Sequence, residues 1–395
     1  MAETEFVIKN LPGLINPKLD QGKFLKDFKT SRLTAAGANY GSVMLKLQLT
    51  VADKNNEEET IDAVAKMLPD SEIFREIFHV QITFTNEMAF YDVIVPTLQE
   101  FQRDLGIKKV IECFPKCFAT RKNLLNNSNK IDDDAIILLE NLVGFSNVER
   151  TVGFNFETTK LILKDAALLH GVPLALKLKK PDLFEKNLKP YCSSFQPPQY
   201  SWTVDILKLL IKENAEIADL ASNVVEWGKP PSSRVNEPFA TLVHSDLWSN
   251  NIMLQFVEDK AVVNKFVDFQ ACEYGSPAKD IFFLLFTSVQ LEALRSSLDY
   301  FLKYYWDHLV NVLKAHECDV KLYTYDKFLE ELEHVSAYEL PHVLFFYNFV
   351  CNAPQHFKQD FENISPEAAC KRFPLRVKET TWYIIKECHK RGWLK

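Results

Sequence analysis

The stretch from Thr241 to Asp280 limits what this chain can fold into more than any other. It reads T-L-V-H-S-D-L-W-S-N-N-I-M-L-Q-F, a short turn, V-V-N-K-F-V-D-F-Q, then G-S-P-A-K-D. Thr241 to Val243 reads as a short apolar strand, and His244 to Asn250 as a loop. Ile252 to Phe256 and Val262 to Val267 read as a strand pair around the turn Glu258-Asp259-Lys260. This puts Asp246 on the loop leaving one strand, Asn251 at the start of the next and Asp268 at the end of the third. All three can then converge at one end of a small sheet. An acid that takes a hydroxyl proton, an amide oxygen and a second acid are the parts of a phosphoryl-transfer site. Asp246 would orient and deprotonate an acceptor hydroxyl. Asn251 and Asp268 would offer oxygens to Mg²⁺, a hard ion that prefers such ligands and keeps several waters. His244, near the strand end, reads as scaffold rather than base.

A chain of 395 residues is too long for one compact core and suits two lobes. With 47% hydrophobic residues it can bury a sizeable core, and a net charge of −7 argues against nucleic acid as its main partner. The eight cysteines are scattered and none forms C-x-x-C, so they read as reduced thiols of a cytoplasmic protein. The first twenty residues carry no apolar signal segment, alanine follows Met1, and no apolar run is long enough to span a membrane. The expected state is a monomer or weak dimer.

The N-terminal third reads as strand-rich. Val43 to Val51 alternates apolar and polar residues, Asp53 to Thr60 is a polar turn, and Ile61 to Leu68 is a second strand ending at Pro69. The small-residue loop before the first strand holds Gly37, Asn39, Tyr40, Gly41 and Ser42. Its glycines would let backbone N–H groups approach phosphates. Lys66 stands in the second strand within A-V-A-K-M-L-P. Phe74 to Phe101 places Phe78, Ile82, Met88, Tyr91, Val95, Leu98 and Phe101 mostly at helical spacing, with Pro96 bending or dividing the helix. Glu87 lies beside that stripe and needs a partner. A strand lysine and a helix glutamate in this order supply the ion pair that points lysine at nucleotide phosphates. Lys108 to Ala119 reads as a strand pair or edge strand, and Asn123 to Asp134 as a surface hairpin loop. The apolar run Ala135 to Leu142 follows, and Leu139 to Leu142, with Glu140, reads as a hinge beside a purine.

The remainder reads as mostly helical. Glu157 to His170 is helical, with Gly171 and Pro173 favouring a stop, and His170 is read as a core histidine. Lys177 to Tyr200, with four prolines, reads as a long connection. Further helices are expected over Thr203–Trp227, Asp280–Tyr304, Tyr305–His316, Tyr325–Ala337 and Pro366–Arg391. The cluster Phe345, Phe346, Tyr347 and Phe349 reads as core packing.

V-H-S-D-L-W-S-N-N-I-M-L with V-D-F-Q resembles the ecdysteroid kinase-like family, relatives of choline kinases and aminoglycoside phosphotransferases. N-Y-G-S-V-M-L-K-L, A-V-A-K-M-L-P, F-T-N-E-M-A-F-Y-D-V-I-V-P, L-L-E-N-L and P-A-K-D-I-F-F-L-L resemble its phosphate loop, lysine strand, glutamate helix, hinge and post-aspartate helix. The resemblance spans roughly residues 20–390 and is strongest at 244–285. It implies an α+β, bilobal protein-kinase-like fold. A small antiparallel-sheet lobe with one main helix would cover 1–141. A larger, mostly helical lobe would cover 142–395, with an insertion at 177–236. The implied activity is transfer of the ATP γ-phosphate to the hydroxyl of an ecdysteroid or similar lipophilic alcohol. The implied nucleotide site is Lys66, Glu87, Gly37, Asn39, Tyr40, Gly41, Ser42, Glu140 and Leu142. Two departures stand out: Ser245 where the family commonly has glycine, and Asn141 where the hinge usually has aspartate. Asp280 matches a family aspartate and is expected to support the catalytic loop by hydrogen bonds.

Other readings are a kinase acting on a xenobiotic or choline-like alcohol, a catalytically silent kinase fold, and a metal-dependent hydrolase using His244, Asp246 and Asp268. The presence of Lys66, Asp246, Asn251 and Asp268 together weighs against the silent fold. The hydrolase lacks a second histidine at ligand spacing and leaves Lys66 and Glu87 unexplained.

Overall fold

The structure, a computed structural model, describes residues 8–33, 42–125, 128–192, 201–225, 235–352 and 365–394. It divides into two compact units. The first comprises Met1–Phe145, Glu185–Phe195 and Lys265–Cys272, and the second Ser146–Phe184, Gln196–Asn264 and Glu273–Lys395.

The first unit is built on five strands: β1 (Phe24–Arg32), β2 (Val43–Ala52), β3 (Glu58–Met67), β4 (Cys117–Arg121) and β5 (Ile136–Glu140). Their order is β1-β2-β3-β5-β4, and every neighbouring pair is antiparallel. The alternation read from Val43 onward has its cause here. Leu45, Leu47 and Leu49 point to one face with Ala63, Ala65, Ile136 and Leu138, and pack against Leu11 and Ile15. Those two residues belong to a short helix, α1 (Leu11–Ile15), whose cap Asn10 accepts the Gly13 N–H at 3.2 Å. β3 begins earlier than its apolar run because Glu58 and Glu59 continue the ladder with Ala52 and Val51 of β2, and their side chains reach Lys26 and Lys23 at 2.5 and 2.7 Å. Of Lys108 to Ala119, only the part from Cys117 is strand, and it forms the sheet edge.

The helix expected over Phe74–Phe101, bent or divided at Pro96, is three: α2 (Glu72–Ile77), α3 (Val80–Ala89) and α4 (Val95–Asp104). His79, at φ 48°, separates the first two. A π turn, Phe90–Ile94, joins the last two. Pro96 has no N–H to continue the ladder, and the wider turn absorbs that loss. Ile82 is 47% exposed and falls off the buried stripe, which runs through Phe84, Met88, Tyr91, Leu98 and Phe101.

The second unit follows β6 (Phe145–Ser146). It contains α5 (Phe156–Lys179) and two short strands, β7 (Thr241–Val243) and β10 (Glu273–Gly275), which pair antiparallel. Between these lie β8 (Ile252–Val257) and β9 (Lys260–Phe266), joined through Glu258 and Asp259, both at positive φ. That is the geometry of a two-residue hairpin turn matched to strand twist. The helix α6 (Pro181–Asn187) lies in the proline-rich region read as a connection, and α7 (Ser201–Lys212) forms the first part of the helix expected over Thr203–Trp227, followed by a 3₁₀ helix, Ala218–Val225. α8 (Ala278–Ser288), α9 (Leu291–Ala315) and α10 (Tyr325–Phe345) follow, then Pro366–Arg372 and Leu375–Lys390. α9 passes without a break through Tyr304 and Tyr305. α10 extends past Ala337 to Phe345 and continues as a π turn, Phe346–Cys351. Pro374, before the last helix, splits the one expected at Pro366–Arg391.

α5 does not stop at His170. It runs through Gly171 and Pro173 to Lys179. Residues Leu169 to Leu176 are all buried, and burial of that apolar run outweighs the roughly 3 kcal/mol that an internal proline costs. Gly171 is there for packing. A Cβ at this position would lie 2.7 Å from Val312 Cγ1 and 3.0 Å from Val312 Cβ on α9. Gly171→Ala is therefore expected to cost about 1–3 kcal/mol by overpacking, read from urea unfolding. An unchanged midpoint would mean that α5 and α9 can separate freely.

No helix among the described residues is long and apolar enough to cross a membrane.

Candidate active site

Lys66 lies on β3, an interior strand of the sheet, paired with Met44 on one side and Ile137 on the other. It is 3% exposed, so its side chain faces the interior rather than solvent. Its Nζ donates to Glu87 Oε2 at 2.5 Å and to Asp268 Oδ1 at 2.8 Å. Glu87 is on α3 and 1% exposed. The Phe269 backbone N–H also donates to its carboxylate. Burial works against the Lys66 ammonium, but Asp268 and Glu87 outweigh it and hold its pKa above the ordinary value. Burial pushes the Glu87 carboxyl up, Lys66 pulls it back and Asp268 adds to the rise, leaving it at about 7. Only the Asp268 side chain of the three, at 30% exposure, reaches solvent.

Asp268 is two residues past the end of β9 rather than on it. Its backbone is left-handed, at φ 68° and ψ 65°, which aspartate tolerates better than most residues. The next residue anchors it. Phe269 stacks on Phe90 with centroids 3.6 Å apart and meets Phe114 and Tyr91 edge-on. Phe90 begins the π turn, so the segment after Glu87 and the segment after Asp268 share one aromatic core.

In the second unit, the loop after β7 carries His244, Ser245 and Asp246. Asp280, fully buried on α8, accepts the backbone N–H groups of His244 at 2.6 Å and Ser245 at 2.8 Å. It also meets His170 Nε2 at 3.0 Å, and His170 Nδ1 meets the Tyr305 hydroxyl at 2.8 Å. Ser245 has φ 64°, the conformation that suits the glycine expected by resemblance. The Asp280 carboxylate holds a serine there. Burial alone would raise the Asp280 pKa, but the bonds from His170 and His244 override it and the net shift is downward. A lowered carboxyl pKa stabilises the fold above the ordinary aspartate value of about 4, and that stability is lost as pH falls below it and through the lowered folded value. Asp280→Asn is expected to cost about 3 kcal/mol at pH 7 and to flatten the acid limb of the stability profile. A variant as acid-labile as the parent would assign that limb to other groups.

His244 is fully buried, and its Nδ1 accepts the Asp246 N–H at 3.3 Å. Asn251 ends a 3₁₀ turn, Ser249–Asn251, one residue before β8 rather than on it. Its Nδ2 donates to Asp246 Oδ2 at 2.7 Å and to the Asp246 carbonyl at 2.9 Å. The carboxylate of one residue of H-x-D-x-x-x-x-N is thus held by another. Beyond Asp246, Trp248 meets Phe346 edge-on at 4.7 Å, Phe346 meets Phe283 at 4.9 Å, and Phe283 stacks on His342. The cluster read as packing is joined to the loop that carries Asp246 in this way.

Of the other expected nucleotide residues, Gly37, Asn39, Tyr40 and Gly41 lie outside the described residues. Ser42 immediately precedes β2. Glu140 ends β5, and its carboxylate accepts the Lys116 N–H at 3.1 Å. Leu142 follows two residues later and accepts the Phe145 N–H at 3.1 Å. Two contributors were not legible beforehand. Phe269 was visible only as the middle letter of D-F-Q, and Asn147 follows the hinge with no motif of its own.

The antiparallel sheet with its buried lysine, followed by a mostly helical remainder, is an α+β protein-kinase-like fold, and the class is kinase-like phosphotransferase. The sequence matches the ecdysteroid kinase-like family over residues 36–318, and the chain belongs to that family of small-molecule phosphotransferases. No curated protein matches it. Similar solved structures include a protein described as an aminoglycoside phosphotransferase of Ralstonia eutropha. It is 12% identical, with 91% of this chain and 93% of that one covered and a TM-score of 0.44. Another is an aminoglycoside 2″-phosphotransferase solved with GDP and kanamycin. It is 10% identical, with coverage of 96% and 95% and a TM-score of 0.41.

Proposed function

We propose that the protein transfers the γ-phosphate of ATP to a hydroxyl of an ecdysteroid or similar lipophilic alcohol. The observation that carries this reading is the buried Lys66–Glu87–Asp268 set, in which a lysine is held between two carboxylates and one carboxylate reaches solvent. Lys66 would bind nucleotide phosphate oxygens while Glu87 holds its ammonium in place. The loop at Gly37–Ser42 would cover the phosphates, and Glu140 and Leu142 would flank the purine.

The donor set suits Mg²⁺. Asp268 offers a carboxylate oxygen, and Asn251, with its Nδ2 on Asp246, offers its amide oxygen. Bound there, the ion would neutralise phosphate charge. Asp246, fixed by Asn251, would accept the proton of the acceptor hydroxyl as that oxygen bonds to the γ-phosphorus and the bond to the ADP oxygen breaks. The aromatic cluster of Trp248, Phe346 and Phe283, beginning two residues past Asp246, favours a lipophilic acceptor.

The test is to incubate the protein with MgATP and a panel of alcohols, ecdysteroids included, and to look for a mass gain of one phosphate. Gain on a steroid alcohol is the expected result. Gain only on a choline-like or xenobiotic alcohol would move the substrate. Nucleotide binding without transfer to any acceptor would leave a catalytically silent fold.

A further inference from the structure

Asn147 follows β6, and its side-chain amide reaches the far end of the catalytic loop. Its Nδ2 lies 3.2 Å from the Ser249 carbonyl, 2.8 Å from the Asn250 carbonyl and 2.9 Å from the Ile252 carbonyl. These three oxygens bracket Asn251. Two N–H bonds shared among three carbonyls fix the path of that turn more tightly than one bond would. From the other side, the Ser249 N–H donates to Ser288 Oγ at 3.0 Å, and Ser288 is bonded to Thr287 Oγ1 at 3.1 Å. The loop is therefore held at both ends, with Ser288 on the Ser249 N–H between them. Asp280 holds its beginning, at His244 and Ser245. Asn147 holds its end, around Asn251.

We infer that Asn147 is a positioning residue for the metal, acting through the backbone on either side of Asn251. The inference rests on the reading of Asn251 as a Mg²⁺ ligand. The direction of an amide oxygen depends on the backbone that carries it. With Asn147 in place, the 3₁₀ turn is held while Asn251 Nδ2 stays on Asp246. Without it, three carbonyls lose their shared donor and the turn can rotate. Such outer partners typically change metal affinity or activity by roughly ten- to hundredfold. Asn147 is an exposed residue, so truncating it opens no core cavity.

The experiment measures the affinity of a fluorescent ADP analogue with and without Mg²⁺ for the wild type, Asn147→Ala and Asn147→Ser. In the wild type Mg²⁺ should strengthen binding. In Asn147→Ala the metal-free affinity should be unchanged, and the Mg²⁺ concentration for half-maximal strengthening should rise roughly ten- to hundredfold. Asn147→Ser, which keeps one donor, should fall between. In turnover, kcat should fall at saturating nucleotide while the acceptor KM stays put. If both variants show the wild-type Mg²⁺ requirement, Asn147 is not a positioning residue. If the wild type itself shows no Mg²⁺-dependent strengthening, the metal reading fails first and this inference with it. Should Asn147→Ala not fold, the serine variant alone decides: an unchanged Mg²⁺ requirement overturns the inference, and a raised one supports it.

Discussion

Asp246→Asn should abolish phosphoryl transfer and leave nucleotide binding intact. Asparagine has the same shape, and its carbonyl oxygen can still accept the bond from Asn251 Nδ2 that now reaches Asp246 Oδ2 at 2.7 Å. The loop stays anchored by Asp280 through His244 and Ser245, so the fold should be unaffected. What is lost is a group able to take the acceptor proton. Removing a positioned base typically costs about 10²–10⁴ in kcat. The check is single-turnover transfer from ATP beside a nucleotide-binding titration. Turnover near the wild-type rate would show that Asp246 is not the base. Loss of binding along with turnover would show that its role is structural.

Lys66→Ala should have two large effects with different causes. Productive ATP binding should weaken, seen as a fall in kcat/KM for ATP. Stability should also fall, because Glu87 is 1% exposed and would lose its cation. Breaking a buried ion pair from one side typically costs about 3–5 kcal/mol. The pH dependence fixes the sign. Glu87 is already raised to about 7 with Lys66 present, and removing the lysine raises it further. A carboxyl whose folded pKa is raised stabilises most below its unfolded value and loses that contribution as pH rises. The variant should therefore be closest to wild type near pH 4 and fall furthest behind at pH 8, as read by urea unfolding. Adding Glu87→Gln should recover much of the loss at pH 8. A penalty independent of pH would mean that the pair is held by packing rather than charge. Unchanged ATP kinetics would move the phosphate lysine elsewhere, and Lys46 on β2 is the next candidate.

How much of this was legible in the sequence depended on the range of each interaction. Asp246 and Asn251 are five residues apart and bond directly, so their spacing carried their relation. The strand alternation of β2 and the hairpin turn at Glu258 and Asp259 are local too, and both were read closely. Elsewhere local signals misled. Gly171 and Pro173 resemble a helix stop, yet α5 continues because its far half is buried and because the glycine admits Val312 of α9. Ile82 sits at helical spacing with Phe78 but is exposed, because α2 and α3 are separate helices broken at His79. The tyrosine pair 304–305 marks no boundary, since α9 is continuous there.

Residue identity and short spacing alone singled out the candidate groups: an acid, an amide and a second acid in one stretch around a hairpin, with a lysine and a glutamate upstream. Those features are written in neighbouring residues and need no fold to be seen. The tertiary structure decided which of them meet. Glu87 is 21 residues from Lys66 and Asp268 is 202 residues away, yet both reach its ammonium. Their electrostatics follow from burial, which a sequence does not specify residue by residue. The same holds for Asn147, which acts through backbone carbonyls, and a backbone hydrogen bond leaves no mark on the identity of the residue that accepts it. Asp280 was expected to support the loop after β7, and the structure supplies the His244 and Ser245 N–H groups that it holds.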